Sequence, residues 1–396
     1  MHLKTGHSMG ARLLNRLMKP EYLFIFTTVI FFAGCEKDKD FPENLPSCSS
    51  DLLFTHSPIA LEDVIRFIPL GHYNPSGHVF PTSHHYIDIK RGEGSIPVYS
   101  PCDGWIVYVT ENQLPLPHNV EYSLELWACK EVMVKYGHLS RLDSHILNQI
   151  GKVVNTDTYS TGGSTFNLKI YKPRIQVKAG DKIGELPDMA GITGIDFGTI
   201  DKRKKLPLIK AERWNNYGYI NAVSFLNYTT SEIRNAFFNI IQYGNEGYLQ
   251  RRTPPLEGQI CYDVEGTAQG IWFMPGKDVT PEDPHMSLIR NNFYPQKNVI
   301  SMGTSVPGLP AIAYEFYPRE TGTHNRSFDK ITADGQIFTF SGFSNIWEQP
   351  LSDYTFPSEN VILIQLLEKE TLRIEKQTLA DGPPWSFKTS YRDFKR

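Results

Sequence analysis

The chain has 396 residues, 40 Lys+Arg against 43 Asp+Glu, and a formal net charge of −3. At ~100–200 residues per domain this length predicts two domains, or three; 40% hydrophobic and 12% aromatic residues exclude disorder along the whole chain. A single long apolar run excludes a multi-span membrane protein, and the near-neutral balance argues against a nucleic-acid binder, which usually shows a basic stripe.

The first element is an export leader, residues 1–34. Lys4, Arg12, Arg16 and Lys19 form a basic start, and residues 22–34 an apolar run. That run is too short to span a bilayer, which takes ~20 apolar residues, but it suits the apolar core of a signal peptide. Cys35 follows directly after Phe32-Ala33-Gly34. This resembles the lipobox of bacterial lipoproteins, which implies Cys35 as the lipidation site and a lipid-anchored place in the cell envelope, at the outer membrane on its periplasmic or surface face. Residues 35–50, opening with Glu36-Lys37-Asp38-Lys39-Asp40, read as a solvated tether. The leader is basic, so the rest of the chain is acidic and has no overall attraction to anionic lipid. Membrane contact is expected through the lipid anchor only.

Four further cysteines are Cys48, Cys102, Cys129 and Cys261. Export permits disulfides, and four cysteines allow three connectivities. Cys102 and Cys129 each lie beside a strand-like run. A bridge between those two and a set of buried free thiols are both open readings.

Residues 51–210 read as strand-rich. Ile96 to Ser100 leads through Asp103-Gly104 into Trp105-Ile106-Val107-Tyr108-Val109. In Glu131 to Leu139, alternation puts Val132, Val134, Tyr136 and His138 on one face. Val177 to Gly184 reads as strand, tight turn, strand, and the stretches 112–128 and 145–170 as long insertions. Residues 211–255 read as a helical connector: Thr229-x-x-Glu232 has the capping-box pattern, and Ile233, Phe237, Ile240 and Ile241 share a helical face that Gly244 would end. Residues 256–396 again show short strand-like runs at Gln259–Tyr262, Gly270–Phe273, Ala311–Tyr314, Gln336–Phe340 and Val361–Leu367, with a hairpin turn expected at Asp334-Gly335. This spacing predicts a C-terminal β-barrel or sandwich.

Histidines concentrate at Gly77-His78-Val79-Phe80-Pro81-Thr82-Ser83-His84-His85-Tyr86-Ile87-Asp88. His84 and Asp88 are four apart, so on an extended chain they share a face, and imidazole with carboxylate is a donor pair suited to zinc. In chain order, His84-x-x-x-Asp88 with Ile96-Pro97-Val98-Tyr99-Ser100-Pro101-Cys102-Asp103-Gly104-Trp105-Ile106, then Val134-Lys135-Tyr136-Gly137-His138-Leu139-Ser140, then Val177-Lys178-Ala179-Gly180-Asp181-Lys182-Ile183-Gly184 resemble the LytM/lysostaphin-type zinc endopeptidases, which cut peptide cross-links in bacterial cell walls. The resemblance covers about a quarter of the chain. It implies a mainly β fold, with a hairpin-rich barrel-sandwich hybrid domain ahead of the C-terminal β region. It also implies zinc as cofactor, His84 and Asp88 as ligands, and His138 as the catalytic histidine.

The final motif departs from that pattern. Where the family carries His-x-His, this chain has Gly194-Ile195-Asp196, which leaves His84, Asp88 and Asp196 as the metal set and removes one catalytic ring. A general acid–base group is worth ~10²–10⁴-fold. His72, His78, His85 and His118 are the candidates to take its place. Two readings result. The first is a non-catalytic relative that binds a cell-wall peptide or another envelope ligand. The alternative is a divergent zinc metalloendopeptidase hydrolysing peptidoglycan cross-link peptides.

Overall fold

The computed structural model describes residues 42–90, 94–113, 120–161, 164–186, 194–214, 217–241, 250–345 and 357–396. Cys35, His118 and Gly244 lie outside them. The fold is mainly β, as the alternation predicts. Its strands in the first half are β1 (Val64–Ile68), β2 (His84–Ile89), β3 (Ile96–Tyr99), β4 (Gly104–Gln113), β5 (Val120–Trp127), β6 (Val132–Leu139), β7 (Arg141–Leu142), β8 (Asn155–Thr161), β9 (Ser164–Tyr171), β10 (Ile175–Val177), β11 (Lys182–Leu186), β12 (Gly194–Asp201) and β13 (Ala222–Val223).

Ten of these form one antiparallel sheet, in the order β1-β2-β12-β6-β5-β4-β9-β8, with β10 on β4 and β13 on β12; β3, β11 and β7 form a second sheet. One face of the large sheet is apolar. Phe67, Ile87, Val134, Tyr136 and Phe197 bury there with Phe54, Phe225 and Phe237. The helix Ser231–Asn239 joins this core through Ile233 and Phe237.

Several local expectations change. The stretches expected to be insertions hold β5, β8 and β9, because Glu121, Ser123 and Glu125 alternate with Tyr122, Leu124 and Leu126. The runs on either side of Gly180, which has φ 85°, do not pair with each other: β10 joins β4, and β11 joins β3 and β7. The helix is capped by Thr230, whose hydroxyl accepts from the Ile233 amide at 3.3 Å, while Thr229 bonds back to Leu226 O. Cys48 and Cys129 form a disulfide, and Cys102 and Cys261 are free thiols. The Cys102–Cys129 bridge, one of the two open readings, does not form, because the stretch before Cys48 folds back: Lys130 N donates to Pro46 O, which brings Cys48 to the β5–β6 turn.

The C-terminal strands are β14 (Gly270–Trp272), β15 (Met286–Arg290), β16 (Asn298–Met302), β17 (Ala313–Phe316), β18 (Phe338–Phe340), β19 (Ser344–Asn345), β20 (Asn360–Glu368), β21 (Thr371–Thr378) and β22 (Arg392–Lys395). They form two antiparallel sheets, β14-β15-β16-β17-β19 and β18-β20-β21-β22. Leu288, Ile300 and Tyr314 of one meet Ile362, Ile364, Leu372 and Ile374 of the other in a shared core, a sandwich of two alternating sheets. Asp334-Gly335 is no hairpin, since β18 pairs with the distant β20. Gln259–Tyr262 forms no strand either. Ile260 instead packs with Leu70, Phe80 and Phe273.

The segment between β1 and β2 ties the halves together. Phe80 N donates to Glu282 Oε2 at 2.9 Å, and Ser287 Oγ donates to Val79 O at 2.7 Å. Val79 itself lies in the sandwich core.

Candidate functional site

The second face of the large sheet carries the predicted residues. In β2, His84, Tyr86 and Asp88 point one way while His85, Ile87 and Ile89 point the other. The β2–β12 register sets Asp196 opposite Tyr86, hence on the face of His84 and Asp88. On β6, Tyr136 is paired with Phe197 and faces the apolar core. Simple alternation would send His138 there too. It does not go there. His138 has φ 65°, and the β5–β6 register shifts between Tyr122 and Leu124. The irregularity turns its ring to the polar face, away from Val132, Val134 and Tyr136, and returns Leu139 to the core. A non-glycine residue in the left-handed region costs ~1–3 kcal/mol, a strain typical of functional positions.

The His138 ring is held between two carboxylates. Nδ1 lies 3.0 Å from Glu121 Oε2, and Nε2 lies 3.1 Å from Asp196 Oδ2. Gly137 permits this approach, since a Cβ there would stand 3.2 Å from Asp196 Cβ. Burial opposes charge on His138, but Glu121 and Asp196 outweigh it and raise its pKa well above the ordinary imidazole value. Burial likewise opposes the Asp196 charge. His138 and His84 overcome it and bring that carboxyl down to about 2. The arrangement is an imidazole bonded through each ring nitrogen to a carboxyl group.

His84 Nε2 stands 3.5 Å from the same Asp196 oxygen. Burial holds this imidazole neutral, with its pKa pushed down to about 4 despite the pull of Asp196. Its ring packs against His78 at 5.3 Å and Tyr86 at 4.9 Å between centroids. The Asp88 carboxylate forms an ion pair with the Arg66 guanidinium on neighbouring β1, where the two residues are register partners.

So the structure brings His84, Asp196 and His138 together, and it does not assemble a zinc cage from His84, Asp88 and Asp196. Among the described residues, three His, Cys, Asp or Glu donors meet closely only at Cys48, Cys129 and Glu131, where the two sulfurs are already a disulfide. The donor set does not fit zinc for two reasons: Arg66 pairs with Asp88, and His138 Nε2 takes the Asp196 oxygen at 3.1 Å. Position 194 is closed as well. A Cβ there would sit 2.0 Å from Ile87 O and 2.7 Å from Asp88 Cα, so no histidine fits without moving β12 away from β2.

Of the histidines named as substitutes for the missing ring, His85 lies on the apolar face, stacked on Phe67 at 4.8 Å and edge-on to Phe225. Burial lowers its pKa to about 3, and does the same to His72, which packs against Tyr86. Among the described candidates, His78 packs against His84. The residues missed in the sequence are Arg66 and Glu121. Glu121 carried a readable signal, the Glu121-x-Ser123-x-Glu125 alternation of β5. Arg66 carried none, because its importance depends on strand pairing.

No protein-family model matches the sequence, and no curated protein matches it. Among solved structures the chain is similar to a zinc-containing peptidase from Vibrio cholerae, at 16% identity and a TM-score of 0.24, over 38% of this chain and 37% of that one.

Proposed function

We propose that the protein is a lipid-anchored envelope component that binds a cell-wall peptide or another envelope ligand without cutting it. The observation that carries this is the Arg66–Asp88 ion pair. An internal cation stands beside the carboxylate that a metallopeptidase would give to its metal. Gly194 supports the same reading, because the fold leaves no room for the missing catalytic ring. The Cys48–Cys129 disulfide supports passage through an oxidising compartment, in keeping with the leader and Cys35.

The convergence of His84, His138 and Asp196 favours the second reading, a divergent peptidase. One experiment separates them. Mature protein is incubated with purified cell wall, sedimented, and the supernatant searched for released peptides by mass spectrometry, with bound zinc measured on the same sample. Co-sedimentation with an intact wall and no zinc is the expected result. Peptide release that disappears in His138→Ala would overturn it in favour of hydrolysis.

A further inference from the structure

The overall charge of the chain hides a local asymmetry at one end of the large sheet. β12 ends in Asp201, and Lys202-Arg203-Lys204-Lys205 follows, all four exposed. Lys202 N donates to Glu131 O, which places this run beside the β5–β6 turn and Lys130. The tether arrives at the same spot. Glu43 bonds Lys202 at 3.1 Å and Lys130 at 3.6 Å, Leu45 packs with Trp127, Met133 and Ile200, and the Cys48–Cys129 disulfide closes the joint. Six residues separate Cys35 from Pro42, where the described chain begins. At ~3.3–3.6 Å per residue they reach at most about 25 Å.

We propose that this basic end lies against anionic lipid headgroups and holds the opposite end of the sheet, with His138 and Asp196, away from the bilayer. The inference rests on anchoring at Cys35 and adds a second membrane contact to the lipid itself. The acidic neighbours are already engaged: Glu43 with Lys130 and Lys202, Asp201 and Asp51 with Arg203, and Glu131 with the Cys48 amide. Lys204 and Lys205 have no ion-pair partner among the described residues, which leaves their ammonium groups for phosphate oxygens. Leu52, 55% exposed beside the Arg203–Asp51 pair, adds an apolar side chain at the same end. Asp196 precedes Lys202 by six residues of β12, about 20 Å at ~3.4 Å per residue. In this orientation the candidate site takes its ligand from the aqueous side and not from the lipid.

The test uses the full lipidated chain in phosphatidylcholine vesicles with and without phosphatidylglycerol. Lysines are acylated with a membrane-impermeant reagent and mapped by mass spectrometry. We expect labelling of Lys204 and Lys205 to slow about fivefold on the anionic vesicles, the factor one lysine–headgroup contact supplies. Lys182 should label at one rate throughout; its partner Glu185 is bonded to Ser140, just past the far end of β6. In Lys204→Glu/Lys205→Glu the protein should stay on the vesicles while Lys130 loses its lipid-dependent protection. A protein that floats with vesicles but labels identically on both compositions overturns the orientation alone. A protein that does not float overturns the anchor, and the orientation with it.

Discussion

β20 in the C-terminal half and β2 in the first half are both buried on two faces, but by different means. In the C-terminal sandwich, β20 and β21 turn Ile362, Ile364, Leu366, Leu372 and Ile374 inward, and another apolar sheet covers them. In the first half, β2 buries both faces. Ile87 and Ile89 go into an apolar core, while His84 and Asp88 are buried at 7% and 3% exposure among charged groups. An apolar face can be covered by any apolar partner of the right shape. A buried polar face is tolerated only if every charge finds a specific counter-charge. The apolar face of β20 and β21 therefore serves stability. The polar face is built for a particular arrangement of Arg66, Asp88, Asp196, His138 and Glu121.

The largest expected effect breaks that arrangement. Arg66→Met leaves Asp88 buried without its guanidinium and should cost about 3–5 kcal/mol in chemical denaturation. Arg66→Met/Asp88→Leu should recover most of that loss, and a double variant no more stable than the single one would show that the pair is not the unit. In the sandwich, Ile374→Ala should cost about 3 kcal/mol through lost burial and a cavity, with no single partner whose replacement restores it.

The third test is pH. His72, His84 and His85 are buried with pKa values of about 3, 4 and 3, below the ~6.5 of an unfolded imidazole. The unfolded chain therefore binds more protons. Their contribution is complete above pH ~6.5 and is lost as pH falls toward those folded values, by about 1 kcal/mol each between pH 7 and 5.5. His138 works in the opposite direction: its raised pKa stabilises fully below ~6.5 and loses effect as pH rises through the folded value. The net expectation is that the amides of β2 and β12 lose protection against exchange, relative to the intrinsic rate at each pH, before those of β20 and β21 as the pH falls. Equal loss of protection in both halves would remove the distinction. The smallest effect is at the sandwich surface, where Arg373→Ala breaks a partly exposed pair with Asp393 and should cost under ~1 kcal/mol.

Much of the fold could be read from alternation. β3, β4, β6 and β20 lie close to where their β-branched and aromatic runs place them, and β5 would have been found by the same rule applied to Val120–Trp127. The helix was also legible, but its cap is Thr230, one residue on, and it ends at Asn239, which leaves Ile240 and Ile241 past its end. For the site, periodicity worked where strands are regular and failed where one is not. The spacing of His84 and Asp88 correctly gave one face, because β2 has no bulge there. The same reasoning misplaced His138, because a left-handed residue and a register shift turn the ring over. The cysteine pairing was not legible, since it depends on the tether folding back on the β5–β6 turn.

The sequence by itself determined many of the strands and the faces of the regular ones. These are local properties, set by side-chain period and composition over a few residues. The tertiary structure decided which charge answers which. Arg66 and Asp88 are 22 residues apart, His138 and Asp196 are 58 apart, and Cys48 and Cys129 are 81 apart. Electrostatic balance in a buried layer is settled by distances of a few ångströms across strands, and those distances exist only once the register is set.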